Sequence, residues 1–111
     1  MTVPPHLHTM ICDYLSDGRY EIGPHVVIHA QNEGFHLADA RAAIRFGVIV
    51  EVYPDRRRCL LVARIRTLRG REIWLHVVCD YGDRQMLGII TAYRPDPGEW
   101  DDPPVRRRTI Q

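Results

Sequence analysis

Two stretches decide the fold: residues 73–81 read IWLHVVCDY and residues 86–94 read MLGIITAYR. Both are rich in β-branched and aromatic residues, and each has the length of a strand. Successive side chains of a strand point to opposite faces of its sheet. One face of residues 73–81 is wholly apolar and should meet the core, and it carries Ile73, Leu75, Val77 and Cys79. The opposite face carries Trp74, His76, Val78 and Asp80.

The strand pattern extends upstream of these two stretches. Val48–Tyr53 and Cys59–Thr67 are predicted as two more strands. Short connections that contain Gly and Asp lie between the consecutive strands, and such connections favour antiparallel hairpins. We therefore expect a four-stranded antiparallel sheet.

The N-terminal part of the chain has a helical period instead. Residues 6–16 place apolar side chains three and four positions apart, which is the stripe of an amphipathic helix. Residues 25–33 and Leu37–Phe46 are predicted as two further helices, ended by Gly34 and Gly47. Helices that precede an antiparallel sheet define the α+β class. We predict an α+β fold with two to three N-terminal helices packed on the four-stranded antiparallel sheet.

Length and composition indicate one ordinary domain. The chain has 111 residues, of which 45% are hydrophobic and 26% are charged, and a chain of this size can bury one core. We predict a single domain over residues 1–100 and a flexible, arginine-rich tail over residues 101–111. No apolar run approaches the roughly 20 residues that span a bilayer, and the N-terminus lacks a secretory pattern. The expected location is cytoplasmic, without membrane contact.

Charge restricts the ways in which this chain can bind nucleic acid. Fifteen basic residues oppose fourteen acidic ones for a net charge of +1, and every basic residue is arginine. A near-neutral domain attracts RNA weakly at long range, so RNA binding must rest on local arginine clusters. The candidate RNA-binding residues are Arg56, Arg57, Arg58, Arg64 and Arg66.

No cofactor is predicted. The phosphate-binding patterns GxGxxG and GxxxxGK[ST] are absent, and nucleotide binding by those loops is therefore excluded. The three cysteines are far apart in sequence, unlike zinc ligands, and we expect them to be buried and reduced. One metal alternative stays open, because His25 and His29 are spaced to share a helix face. A third ligand would be needed, and Glu33 lies one turn further along.

A candidate phosphodiester site lies on the sheet face that carries His76. Arg64 or Arg66 should lie beside His76 if the hairpin through Arg69–Arg71 is regular. Thr91 and Tyr93 share a face of the last strand, which ends with a further candidate, Arg94. Cleavage of RNA without metal needs a base and an acid, which histidine supplies, and arginine stabilises charge on phosphate. The alternative for His76 is a hydrogen-bonded sheet histidine with a structural role.

Several motifs together resemble a family of small bacterial proteins. They are Pro24-His25, Gly34, VEVYPD at residues 50–55, Gly70-Arg71, LHVV at residues 75–78, ITAYRPDP at residues 90–97, and Trp100. Over residues 5–102 the chain is similar to the family catalogued as domain of unknown function 4258, which itself resembles the RelE, ParE and HigB toxins. The resemblance implies a RelE-like or barnase-like arrangement, cleavage of messenger RNA, and a small antitoxin protein as partner.

The polar positions of that family fall on specific residues of this chain. The resemblance implies that His25 acts as base or acid and that His76 is its partner or a phosphate contact. It further implies that Arg94 clamps phosphate and that Tyr93 stacks on a base. The complete set of candidate catalytic residues is His25, His76, Thr91, Tyr93 and Arg94.

Three functions remain open from the sequence. The first is a toxin-like, metal-independent ribonuclease, and the second is a non-catalytic RNA- or protein-binding domain on the same fold. The third is a small metal-binding domain that uses His25 and His29. The family commonly has arginine where this chain has His29 and Glu33, which bears on catalysis more than on fold. An edge strand can pair with another chain, so we expect a monomer or a homodimer.

Overall fold

A computed structural model describes residues 2–109 of the chain. It confirms the α+β class, the three helices and the positions of the four predicted strands. None of the helices within residues 2–109 is long and apolar enough to cross a membrane. The elements are α1 (Leu7–Ser16), β1 (Tyr20–Ile22), α2 (Pro24–Glu33), α3 (Leu37–Phe46), β2 (Val48–Tyr53), a 3-10 turn (Pro54–Arg56), β3 (Arg58–Arg66), β4 (Glu72–Asp80) and β5 (Leu87–Tyr93).

The sheet corrects one prediction, because within residues 2–109 it has five strands and is mixed. Its order is β1-β5-β4-β3-β2, and β1 pairs parallel to β5 while the other pairs are antiparallel. Strand β1 has three residues, too few to show an alternating pattern. Its partner Leu87–Ile89 lies far along the chain, so no local turn signal marks the pairing.

The three helices cover one face of the sheet, as the apolar side of residues 73–81 predicted. Ile73, Leu75, Val77 and Cys79 are all buried in the main core. They share this core with the inward side of α1 and with α3, which packs on β3 and β4. The alternation of the sequence thus determined correctly which side of the central strand meets the helices.

A bulge in β5 sets the orientation of its polar residues. Val78 pairs with Thr91 but Cys79 pairs with Ile89, so Ile90 is an extra residue in this ladder. Leu87 and Ile89 point into the core, and strict alternation would have placed Thr91 on the same side. The extra residue reverses the phase, and Thr91 therefore shares the outer face with His76.

Two glycines end helices for different physical reasons. Gly34 adopts a left-handed conformation, with φ of 79°, which glycine tolerates and most residues do not. Gly47 is extended instead, but a Cβ on it would collide with the Ala43 oxygen and lie 2.5 Å from the Val62 oxygen. The second glycine therefore permits close approach of α3 to β3.

The C-terminal segment, residues 99–108, crosses the outer face of the sheet, and we call it the strap. It is held as a small loop by an antiparallel bridge between Trp100 and Arg107. Amide N–H groups of Asp101 and Arg108 donate to the oxygens of Arg106 and Glu99, both at 2.9 Å. The sequence predicted a flexible tail over residues 101–111. The structure shows contacts for residues 101–108, residues 110 and 111 lie outside the described part of the chain, and the mobility of the tail stays a prediction.

Candidate functional site

His76 lies at the centre of the outer face and is completely covered. Its side chain is 0% exposed, and the cover is the strap. The Nε2 atom lies 2.8 Å from the Pro104 oxygen and the Nδ1 atom lies 3.4 Å from the Tyr93 hydroxyl. The ring also meets Trp100 edge to face, at 4.4 Å between centroids. No RNA phosphate can reach His76 while the strap lies on it.

A small second core surrounds His76 on this face. Leu60, Val62 and Trp100 are buried, yet they lie outside the main cluster under the helices. Trp100 retains only 2% of its exposure. Burial of large apolar side chains is the dominant favourable term in packing. The strap is therefore held by an apolar anchor as well as by polar contacts.

An ion pair fastens the strap to strand β2. The Arg107 guanidinium donates to both carboxylate oxygens of Glu51, at 3.0 and 3.1 Å, and stacks on the Trp100 ring at 4.6 Å. The Tyr53 hydroxyl also donates to Glu51. Burial acts to raise the pKa of Glu51, but the hydrogen bonds from Arg107 and Tyr53 prevail and lower it. Burial and the Glu51 hydrogen bond raise the pKa of Tyr53 to about 12.

The register places apolar residues beside His76, contrary to the prediction of arginine neighbours. Val62 on β3 is directly opposite His76, and Tyr93 is opposite it on β5. Arg64 pairs with Trp74 instead, two residues along the strands from the pair of Val62 with His76. The predicted pairing assumed a regular hairpin through Arg69–Arg71, and the register depends on the exact conformation of that turn.

The candidate RNA-binding arginines are mostly engaged with acidic residues. Arg64 and Arg66 both lie near Glu72, at 2.8 and 3.8 Å. Arg58 pairs with Asp80 at 3.0 Å across the β3–β4 ladder. These contacts are exposed and individually weak, but they reduce the positive charge that each strand offers to phosphate.

The two remaining arginines of this group lie at the turn before β3. Arg56 is exposed in the 3-10 turn, and the Arg57 guanidinium lies 5.9 Å from the centre of the Tyr81 ring. They are the members of the predicted RNA-binding set with no carboxylate partner within residues 2–109.

A different group of predicted residues meets where α2 runs along the edge of β5. Strand β1 pairs with β5 only as far as Ile89, and α2 side chains serve the backbone beyond it. The His29 Nδ1 atom lies 2.9 Å from the Ala92 oxygen, and Glu33 accepts the Arg94 N–H at 2.7 Å. His29 and Glu33 are one helical turn apart on α2, and the backbone groups that they contact, at Ala92 and Arg94, are two residues apart. We call this line of contacts the α2–β5 seam.

The seam gives structural roles to His29 and Glu33. An unpaired strand edge leaves backbone groups without partners, which costs stability and invites association. His29 and Glu33 each supply a hydrogen bond to that edge. Arginine can donate to a carbonyl oxygen but cannot accept from an N–H. Glu33 therefore makes a contact that an arginine at this position could not make.

The exposed side of the seam presents a histidine pair. The ring centroids of His25 and His29 are 6.3 Å apart, and the His29 ring is 6.5 Å from that of Tyr93. Because a carbonyl oxygen only accepts hydrogen bonds, the His29 Nδ1 atom must carry the proton. In the neutral ring the Nε2 atom then has a free lone pair. Thr91 Oγ1 lies 3.3 Å from the same Nδ1 atom.

Arg94 lies at the end of the seam with its side chain exposed. Its guanidinium makes no hydrogen bond or ion pair with any residue from 2 to 109. It borders a cleft of about 380 Å³ that Trp74 and the prolines Pro95 and Pro97 also line. The cleft is also lined by Asp96, Asp101 and Asp102. Arg94 is thus a predicted phosphate ligand whose guanidinium has no partner among residues 2–109.

The metal alternative gains no third ligand. Within residues 2–109 no group of three histidine, cysteine or acidic side chains is arranged to hold a metal ion. Glu33, the expected third ligand, accepts the Arg94 N–H with one carboxylate oxygen.

The thiols largely follow expectation. Cys59 and Cys79 are buried, and burial raises the pKa of Cys59 to about 12. Cys12 is only half-buried, contrary to the prediction, and lies 3.6 Å from the Nε2 atom of His8.

Sequence reasoning missed the partners that surround His76. Glu51 and Arg107 are separated by more than fifty residues, and no periodic pattern links them. Trp100 was the one available signal, since a lone tryptophan among prolines and charges is a candidate anchor. Its effect on His76 required knowledge of the path of the strap.

Comparison with known proteins gives one match. A family described as Domain of unknown function (DUF4258) matches residues 22–94, about two thirds of the chain. The matched region begins at the end of β1 and includes α2, α3 and the remaining strands. No curated protein and no solved structure matches the chain.

Proposed function

The chain belongs to the DUF4258 family, and we propose that it is a metal-independent endoribonuclease of the toxin type with its catalytic centre on the α2–β5 seam. The proposal places the acid–base pair at His25 and His29 and the phosphate ligand at Arg94. The observation that carries it is the pairing of exposed His25 with half-buried His29 on one face of α2, one turn before Glu33, which holds the backbone of Arg94. His76, the third histidine considered for catalysis, is buried, and the proposal assigns it no direct catalytic role.

The spacing of the two histidines suits cleavage at one phosphodiester. A base must take the proton of the 2′-hydroxyl, whose oxygen then attacks phosphorus. An acid must give a proton to the departing 5′-oxygen, and the products are a 2′,3′-cyclic phosphate and a 5′-hydroxyl. Catalytic groups act across hydrogen bonds of about 2.6 to 3.2 Å. Rings 6.3 Å apart can therefore contact the two oxygens on opposite sides of one phosphorus.

The hydrogen bond to Ala92 favours His29 as the base. It directs Nδ1–H toward the protein and leaves Nε2 to receive the proton. Orientation of a catalytic imidazole by a bond at its other nitrogen is a common arrangement. His25 is exposed on the preceding turn of α2, and in its protonated form it supplies the acid.

Arg94 and Tyr93 complete the proposed site. A guanidinium presents a planar fork that matches phosphate oxygens, and its charge opposes the negative charge that grows there during reaction. Tyr93 is half-buried beside His29 and offers part of its ring for a base. Thr91, at 3.3 Å from His29 Nδ1, supports the orientation of that ring.

The decisive experiment is cleavage of end-labelled RNA in the presence of EDTA. We expect wild-type protein to cut RNA, and His25→Ala and His29→Asn each to lose at least about 10²-fold in rate. Asparagine is chosen at position 29 because its amide can still donate to Ala92 while it cannot take up a proton. Arg94→Ala should lose a similar factor.

Two controls separate chemistry from folding. Arg84→Ala removes an exposed arginine with no side-chain ion pair within residues 2–109, and it should cleave at the wild-type rate. His76→Gln tests the buried histidine, which contacts the proposed site only through Tyr93, and it should keep most of the activity. An inert wild-type protein, or full activity in both His25→Ala and His29→Asn, would overturn the proposal.

A non-catalytic RNA- or protein-binding domain is the second candidate, and a specific observation favours it. The arginines of β3 are engaged with Glu72 and Asp80, and Glu33 replaces an arginine expected in the family. A domain kept for recognition needs neither a free base nor a strong positive face. RNA binding without cleavage, weakened by Arg94→Ala and unchanged by His29→Asn, would establish this candidate.

A further inference from the structure

The strap is joined to the sheet through a histidine whose two hydrogen bonds suit the neutral ring. In the neutral ring Nε2–H donates to the Pro104 oxygen and Nδ1 accepts from the Tyr93 hydroxyl. Both nitrogens then have partners of the correct kind. A second proton would turn Nδ1 into a donor, so the Tyr93 hydroxyl would have to accept instead of donate. It would also place a charge in a buried site next to Trp100 and the Arg107 guanidinium, where desolvation and repulsion oppose it.

We propose that the strap is an acid-released cover, which lies on the outer sheet face while His76 is neutral and detaches when His76 takes up a proton. The proposal concerns regulation, and its bearing on RNA cleavage rests on the proposed function. Release would uncover His76 and the outer side of Tyr93, next to the seam. The covered and uncovered forms would therefore present different surfaces to RNA.

The charged and titratable groups around His76 come from three elements. Strand β5 contributes Tyr93, strand β2 contributes Glu51, and the strap contributes Arg107. Strand β3 contributes Val62, which is apolar. Burial lowers the pKa of His76 and Arg107 adds to this effect, whereas the Pro104 hydrogen bond and Glu51 oppose it. The net direction is downward, which agrees with the geometry.

The direction of the pH effect follows from linkage. The detached form has a solvated histidine with a pKa near the ordinary 6.5, and the attached form has a lower one. The detached form therefore binds more protons, and attachment weakens as pH falls. His76 contributes its full stabilisation above about pH 6.5 and loses it progressively below that value. The detached population can rise by at most about tenfold per pH unit.

Glu51 does not interfere in the upper part of this range. The hydrogen bonds from Arg107 and Tyr53 lower its pKa below the ordinary 4.5. Its ion pair with Arg107 therefore persists at pH 5. Glu51 thus contributes little between pH 5 and pH 8, and comparison with a His76→Gln variant separates His76 from the other five histidines.

Fluorescence quenching of Trp100 tests the proposal directly. A Trp74→Phe background leaves Trp100 as the single tryptophan, and acrylamide quenching reports its exposure. We expect a constant, low quenching between pH 8 and pH 6.5 and a rise between pH 6.5 and pH 5. His76→Gln in the same background should abolish the rise, because glutamine can donate to Pro104 without titrating. Arg107→Met should increase quenching at every pH.

Three results would overturn the proposal. They are quenching that does not change with pH, a His76→Gln variant that keeps the full rise, and a loss of far-UV circular dichroism over the same range, which would indicate unfolding of the whole domain. None of these readouts uses RNA cleavage. A pH-dependent strap in a protein that does not cleave RNA would support this proposal and leave the ribonuclease proposal refuted.

Discussion

Replacement of Trp100 by alanine tests whether the strap is part of the folded domain. Truncation of a buried tryptophan usually costs about 3 to 5 kcal/mol, through lost transfer free energy and an unfilled cavity. Trp100 is 2% exposed, and it contacts the His76 ring and the Arg107 guanidinium. A segment that did not dock would lose almost nothing from the same change.

The free energy with which the strap docks on the sheet limits how much stability Trp100→Ala can remove. If the cost of the cavity exceeds the free energy that holds the strap, the strap detaches and the helix-covered core remains. The observed loss is then the docking free energy and not the full cost of truncation. We therefore expect a loss of about 2 to 4 kcal/mol in unfolding free energy, below the top of the usual range.

Urea denaturation measures this loss. For a slope of about 1 to 3 kcal/mol per molar, a loss of 3 kcal/mol shifts the midpoint by about 1 to 3 M. Phe46→Ala is the matched control, because Phe46 is an aromatic residue that is 77% exposed, and it should change stability by less than about 0.5 kcal/mol. If Trp100→Ala is as mild as Phe46→Ala, the packing argument for the strap is wrong.

Three further predictions follow from local contacts. Gly47→Ala should destabilise the domain by more than Gly34→Ala in urea denaturation, because a Cβ at Gly47 would collide with the backbone of α3 and β3. Gly34 has the left-handed φ of the two, so a larger loss at Gly34 would contradict this reasoning. Glu33→Ala should lower the free energy of unfolding by about 1 kcal/mol and increase self-association measured by sedimentation, because it leaves the edge of β5 without a hydrogen-bond partner. Asp13→Ala, which removes another acidic helix residue, is the control. In folded protein Cys12 should react with a thiol reagent, while Cys59 and Cys79 should react only at the rate of unfolding, because burial raises their pKa values and excludes the reagent; prompt reaction of three thiols would refute this.

Periodicity was sufficient for the elements and for the inner face of the sheet. The apolar alternation of residues 73–81 predicted a strand with one side in the core, and that side is buried. The glycines after α2 and α3 predicted the ends of those helices correctly. Such features depend on residues close together in the chain, and sequence reasoning handles them well.

The orientation of the β5 side chains and the pairing of the strands were harder to predict. The first depends on a single extra residue and the second on partners that are distant in sequence. Strict alternation from Leu87 and Ile89 would have turned Thr91 toward the core, and the bulge at Ile90 reverses it. The parallel partner of β5 is a three-residue strand at the other end of the chain. A short strand with a distant partner leaves no pattern that a reader of the sequence can detect.

The same distinction between local and long-range contacts applies to the candidate site. The sequence by itself determined the α+β class, the placement of His76 on the sheet face opposite the helices, and the helical pairing of His25 with His29. Only the tertiary structure decided that His76 is covered by Trp100 and Pro104, while His25 stays exposed and His29 is half-buried. The physical reason is that burial on the outer face depends on where an aperiodic segment crosses it. That path is set by contacts between residues far apart in sequence, such as Glu51 with Arg107.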